Sequence, residues 1–285
     1  MPARRSASHL CRSTLPWKSR PSSRSPDPMT RPVRSDLASF LRQPVAHRGL
    51  HDAHRGIVEN SRSAILSAIA SGFGVEIDVQ MSADHDVVVF HDTHLDRLTE
   101  ARGPVRARSS AALQALALRD TRDSIPTLKD VLALVDGRAP LLIEMKSSFS
   151  EDMSLAEACV AILASYRGPF ALMSFDPGLV SRVRARAPHI LRGIVAEGRY
   201  EAGAWPLLSR ALRARLPYLL HWPATRFHFV AYRLGDLGHV APRIARWSGI
   251  PVLTWTVRSA VEAERASGFA DQIIFEDFVP ETPVG

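Results

Sequence analysis

Glu76, Asp78 and Glu144, together with His47 and His91, are the side chains of this sequence whose types and spacing could share one piece of chemistry. Glu76 and Asp78 lie two residues apart in GVEIDVQM (74–81), an apolar, β-branched run that predicts a strand. On a strand that spacing puts both carboxylates on one face and turns Ile77 and Val79 to the other. Two like charges side by side repel and raise at least one pKa, a conflict that a divalent cation removes. Glu144 in LLIEMK supplies a third carboxylate, and an all-oxygen set suits Mg²⁺ or Ca²⁺ rather than zinc.

His47 and Arg48 end another short apolar run, PVAHR (44–48). The segment after Asp78, VQMSADHDVVVFHD, reads as a hairpin with its tip near residues 83–86 and a β-branched return. A turn centred between Asp84 and His85 sets Asp78 opposite His91, so the return strand carries this histidine back beside the carboxylates. Two histidines titrating near neutrality can act as base and acid on either side of a breaking bond. A divalent ion with Arg48 and Lys146 would neutralise a tetrahedral anion. The chemistry that uses all of these groups at once is phosphodiester cleavage. His51 and His54 follow His47 at helical spacing, but Gly49 and Gly56 argue against a helix, so both histidines and Arg55 read as a solvated loop. His94 reads as a rim residue, and SRVRARAP (181–188) as the solvated face of a basic helix.

Eight short apolar runs must position these groups: 44–48, 74–81, 140–146, 170–175, 192–197, 227–232, 251–257 and 272–276. Helical patterns fill the gaps, including one over NSRSAILSAIASG that stops at Gly72 and one over PTLKDVLALVDG opened by a Thr127–Asp130 capping box. Ser154 and Glu157 open a further helix. The alternation predicts an α/β TIM (β/α)₈ barrel with a hairpin inserted after strand 2, whose catalytic groups sit at the C-terminal ends of the strands. A doubly wound open sheet is the alternative, weakened by the absence of G-x-G-x-x-G after the first strand.

With AHRG, Glu59-Asn60, GVEIDVQMSADHDVVVFHDTHLDRLT, G-x-V at 103–105, IPTL, IEMK and WTV in this order, the chain resembles the glycerophosphodiester phosphodiesterases. The resemblance runs from Ala46 to Lys146, with weaker traces to about residue 280. It implies a barrel holding one divalent cation, Mg²⁺ or Ca²⁺, through Glu76, Asp78 and Glu144. It also implies an acid–base pair of His47 and His91, phosphate contacts from Arg48 and Lys146, and Trp255 lining an alcohol pocket. Glu59 and Asn60 take supporting places near the site, and Phe175 is a candidate substrate contact. The expected reaction is hydrolysis of small glycerophosphodiesters to sn-glycerol 3-phosphate and an alcohol. Lysophospholipids are the alternative substrates, and a non-catalytic phosphate-binding barrel is the third reading. Three positions depart from the family pattern: Val58 where proline commonly precedes Glu-Asn, Arg258 after WTV where asparagine is common, and IIFEDF in place of Thr-Asp.

The net charge of +7 at first suggests a nucleic-acid partner, but its location removes the suggestion. Residues 1–35 hold eight of the 36 basic residues and one of the 29 acidic ones, leaving 28 of each in the domain expected over 36–285. The Arg/Ser/Pro-rich tail reads as disordered, and Met29 is a candidate for the true start. It lacks the apolar centre of a secretory signal, and no run of 18 apolar residues occurs. Cys11 and Cys159 do not make a disulfide framework. These features predict a cytoplasmic protein.

Overall fold

The computed structural model describes residues 33–281. The basic tail up to residue 32 lies outside the described residues, and the described chain opens on helix α1 (Val33–Arg42).

All eight expected runs are strands of one closed parallel barrel: β1 (Val45–Ala46), β2 (Gly74–Met81), β4 (Leu141–Met145), β5 (Phe170–Ser174), β6 (Arg192–Ala196), β7 (Phe229–Arg233), β8 (Val252–Val257) and β9 (Gln272–Phe275). Pairing of β1 with both β2 and β9 closes the ring, which excludes the open doubly wound sheet. One further strand, β3 (Val87–Val89), runs antiparallel to β2, as the hairpin pattern predicts. The expected register is corrected by one residue: Val79 faces Val89, so Asp78 falls opposite Phe90 rather than His91. The turn absorbs the difference through His85, which sits at φ 61°, and through Ser82, whose backbone N–H donates to the Asp86 carbonyl.

Helices α2 (Arg62–Ala70), α3 (Ser110–Gln114), α4 (Leu128–Val135), α5 (Ser154–Leu163), α6 (Pro177–Arg186), α7 (Arg210–Arg215), α8 (Trp222–Thr225), α9 (Val240–Trp247) and α10 (Ala260–Ser267) follow the strands. Thr127 and Asp130 make the reciprocal capping box, and α4 stops where Asp136 turns left-handed at φ 45°. Ser154 and Glu157 open α5 as expected, Ser154 as its first residue and Glu157 in its first turn. Outside the ring, Val75, Ile77 and Val79 pack against helix residues such as Ile65 and Val131. Inside it, Leu142, Met173, Val195, Phe229 and Leu253 form a separate core with Phe40 of α1. A Cβ on Gly193 would stand 2.2 Å from the Phe229 ring, so glycine is what lets this phenyl fill the barrel. Cys159 is buried in the outer layer, where burial pushes its thiol up to about 12.

Two partly buried histidines on the β6–β7 side are held neutral. His228 Nδ1 accepts the Arg192 N–H at 3.2 Å, which a protonated ring nitrogen cannot do, and His221 Nε2 is buried without a hydrogen bond. Burial pulls both pKa values from 6.5 down to about 4, with the Arg192 charge adding to the effect at His228. The unfolded chain therefore binds more protons than the folded one between these values. Melting temperature is expected to hold above pH 6.5 and fall as pH drops from 6.5 to 4. His228→Gln should flatten that slope, as read by thermal melts across the range.

Candidate functional site

The C-terminal ends of the strands converge on a cavity of about 310 Å³. His47, Arg48, Glu59, Glu76, Asp78, His91, Glu144, Lys146, Phe175 and Trp255 all line it, which is every expected site residue except Asn60. The strand register assembles the carboxylates: Asp78 of β2 is the lateral partner of Glu144 of β4, and Glu76 lies one pleat earlier on the same face. Glu76, Asp78 and Glu144 are buried, with ligand oxygens within 4.8 Å of one another, a group that could hold a metal ion.

Neighbouring cations do not satisfy this cluster evenly. Burial opposes the charge on Asp78, but Lys146, His91, Arg48 and His47 outweigh it and hold its pKa well below the usual carboxylate range. Glu76 goes the other way, raised by burial and then by the charges of Asp78 and Glu144. Its Oε2 accepts the Arg48 N–H at 2.9 Å, while its Oε1 is buried with no hydrogen-bond partner. An unpartnered buried oxygen beside two further carboxylates fits a hard divalent cation. Lys146 Nζ donates to Glu144 Oε1 at 2.9 Å and stands 3.3 Å from Asp78 Oδ1. These two anions raise its pKa against the opposing effect of burial.

Asn60 lies behind the cavity and acts on it through Asp78. Its Nδ2 donates to Asp78 Oδ2 at 2.9 Å, and its Oδ1 accepts the Asp78 N–H at 3.1 Å. It is held there in a left-handed turn, with its own N–H on the Arg48 carbonyl. Gly49 makes the other half of this fold-back at φ 80°, where a Cβ would meet the Ala64 backbone at 2.7 Å. The same reversal corrects the reading of His51 as a solvated loop residue. The chain turns back over the strand end, so His51 lines the cavity, half-buried, with Nε2 3.7 Å from Glu276 Oε2. His54 and His94 remain exposed and do not line it.

Each expected acid–base histidine has its Nδ1 on a carboxylate, and sequence reading found neither partner. His47 Nδ1 is 2.5 Å from Glu276 Oε2, whose other oxygen meets Arg258 Nη2 at 2.5 Å. Burial works against the Glu276 charge, but the bond to His47, the nearby His51 ring and the Arg258 charge outweigh it and drive its pKa far down. The two departures at the mouth, Arg258 and the IIFEDF segment, thus form one ion pair behind His47. His91 Nδ1 is 2.8 Å from Asp92 Oδ1, and Arg97 then joins Asp92 to Glu59, which bonds Arg48 at 2.7 Å. Burial would raise both Asp92 and Glu59, yet these bonds hold both pKa values low. Gln80 fixes the backbone on either side of His91, its Nε2 donating to the Phe90 carbonyl at 2.7 Å and the Asp92 carbonyl at 2.8 Å. The adjacency of His91 and Asp92 was the one local signal for any of these partners.

Phe175 and Trp255 meet edge to face at 5.5 Å and form an apolar wall opposite the charges. Trp205, which carries no signal in sequence, extends the wall against Phe175 at 4.8 Å.

Among known proteins, the chain is 27% identical to the glycerophosphodiester phosphodiesterase of Caldanaerobacter subterraneus subsp. tengcongensis, over 84% of this chain and 94% of that one. It is 25% identical to glycerophosphodiester phosphodiesterase 1 of Bos taurus, over 83% and 80% respectively. Its fold matches a phosphodiesterase of Oleispira antarctica, solved with the product sn-glycerol-3-phosphate, at a TM-score of 0.68 and 24% identity, over 87% of this chain and 96% of that one. Residues 47–280 match the glycerophosphoryl diester phosphodiesterase family, to which this chain belongs.

Proposed function

We propose that the protein hydrolyses small glycerophosphodiesters to sn-glycerol 3-phosphate and an alcohol, using a divalent cation, Mg²⁺ or Ca²⁺, held by Glu76, Asp78 and Glu144. The observation that carries this reading is that two carboxylate-backed histidines line one cavity together with that triad. When bound, the cation would neutralise the carboxylates and polarise a phosphoryl oxygen. Arg48 and Lys146 bind the remaining phosphate charge, each already anchored by the triad. Glu59 keeps Arg48 extended toward the cavity, and Asn60 keeps Asp78 in place.

His47 and His91 divide the proton transfers. One takes the proton of the attacking hydroxyl, from water or from the glycerol itself, and the other protonates the leaving alkoxide. With each Nδ1 on a carboxylate, each ring turns its Nε2 to the substrate. Phe175 and Trp255 exclude water on the leaving-group side and contact the alcohol.

The test is a coupled assay for glycerol 3-phosphate across several glycerophosphodiesters, with added Mg²⁺ or Ca²⁺ and with EDTA. Release that EDTA abolishes is the expected result. No release from any of them with metal present would reject this substrate class, and lysophospholipids would be assayed next.

A further inference from the structure

One side of the barrel combines exposed apolar side chains with an excess of arginine. Of twelve large hydrophobic residues exposed among the described residues, eight lie between Leu207 and Trp247. On α9, Val240, Ile244 and Trp247 follow the i, i+4, i+7 spacing of one helix face, while Ala241, Pro242 and Ala245 pack inward. Trp247 is 88% exposed. The segment joining β6 to β7 continues this surface: Tyr218 lies 5.0 Å from the ring of His239, which caps α9, and Leu220 and Trp222 are exposed beyond it. Residues 201–250 carry seven arginines against two acidic residues. Among the described residues, Arg210, Arg215 and Arg243 have no ion-pair partner, and Arg243 shares the outward face of α9. The basic helix α6 differs, since Glu157 takes up both Arg182 and Arg186.

We propose that this side of the barrel docks on an anionic phospholipid bilayer. Charge decides the occupant: a two-fold contact between copies would set the arginine-rich patch against itself. The apolar groups are spaced singly with arginines between them, which suits side chains that enter the acyl boundary while the guanidinium groups stay among phosphates. Trp247 and Trp222 have the ring type that settles at that boundary.

The full chain tests this by sedimentation with phosphatidylcholine vesicles and with mixed phosphatidylglycerol–phosphatidylcholine vesicles. Binding to the mixed vesicles is expected, and Ile244→Glu/Trp247→Glu should weaken it on the order of tenfold or more. Vesicles with brominated acyl chains should quench tryptophan emission less in Trp247→Phe than in the unaltered chain. Arg243→Glu should also weaken binding, with a smaller effect at high salt. This exposed position serves if the double variant fails to fold. Unchanged binding of a folded double variant would overturn the proposal and assign the attraction to the basic tail, which every arm retains. A solution dimer that Trp247→Glu dissolves, or no binding to mixed vesicles, would overturn it equally.

Discussion

His91→Ala and His47→Ala should each lower turnover of a glycerophosphodiester by about 10²–10⁴-fold with the fold intact, the usual size of acid–base catalysis. The two losses should not multiply, because both residues serve the same transition state. Glu276→Gln should give a smaller loss, since an amide oxygen still accepts from Nδ1 while the charge is gone. Asp92→Asn follows the same logic at His91 but also releases Arg97, so its effect should reach Arg48 through Glu59. Steady-state kinetics with circular dichroism as the folding control would separate these effects. Full turnover by His91→Ala would remove it from the chemistry.

The second large effect concerns the carboxylate triad. Glu76 is buried among like charges with one oxygen unpartnered, so the cation-free fold carries their repulsion. Adding Mg²⁺ or Ca²⁺ should stabilise the protein by about 2.7 kcal/mol at a hundredfold excess over the dissociation constant. For a domain of this size that is roughly 5–10 °C in melting temperature. Glu76→Gln should melt higher than the unaltered protein in EDTA, because one buried charge is gone, yet lose most of the cation-induced shift. Its turnover should fall on the order of 10²–10³-fold, matching a lost Lewis acid worth several kcal/mol. A melting shift in Glu76→Gln as large as in the unaltered protein would place the cation elsewhere.

The barrel was legible in the sequence because parallel strands buried on both faces must be continuous apolar runs, and eight such runs stand between helical patterns. The carboxylate triad was legible because Glu76 and Asp78 share a face by strand period alone, and Glu144 interrupts an otherwise apolar strand. The partners of the histidines were not. Glu276 reaches His47 across the tertiary fold, Asp92 beside His91 is fixed by Arg97, which also bonds Glu59, and charged residues at strand ends look alike before the ring closes. His51 was misread for a related reason: two left-handed residues, Arg48 and Gly49, reverse the chain over the mouth. The hairpin register slipped by one because turn geometry, not strand pattern, sets it.

The bond between His47 and Glu276 spans 229 residues and joins the first strand of the barrel to the last. During synthesis the histidine is made before its carboxylate by roughly 10–45 s at ordinary elongation rates. A nascent chain can present β2 and its acidic face, yet it has no oriented imidazole at position 47 until β9 emerges. On the proposed function, a nascent chain that lacks β9 is expected to be inactive toward phosphodiesters, with competence arriving only when the ring closes.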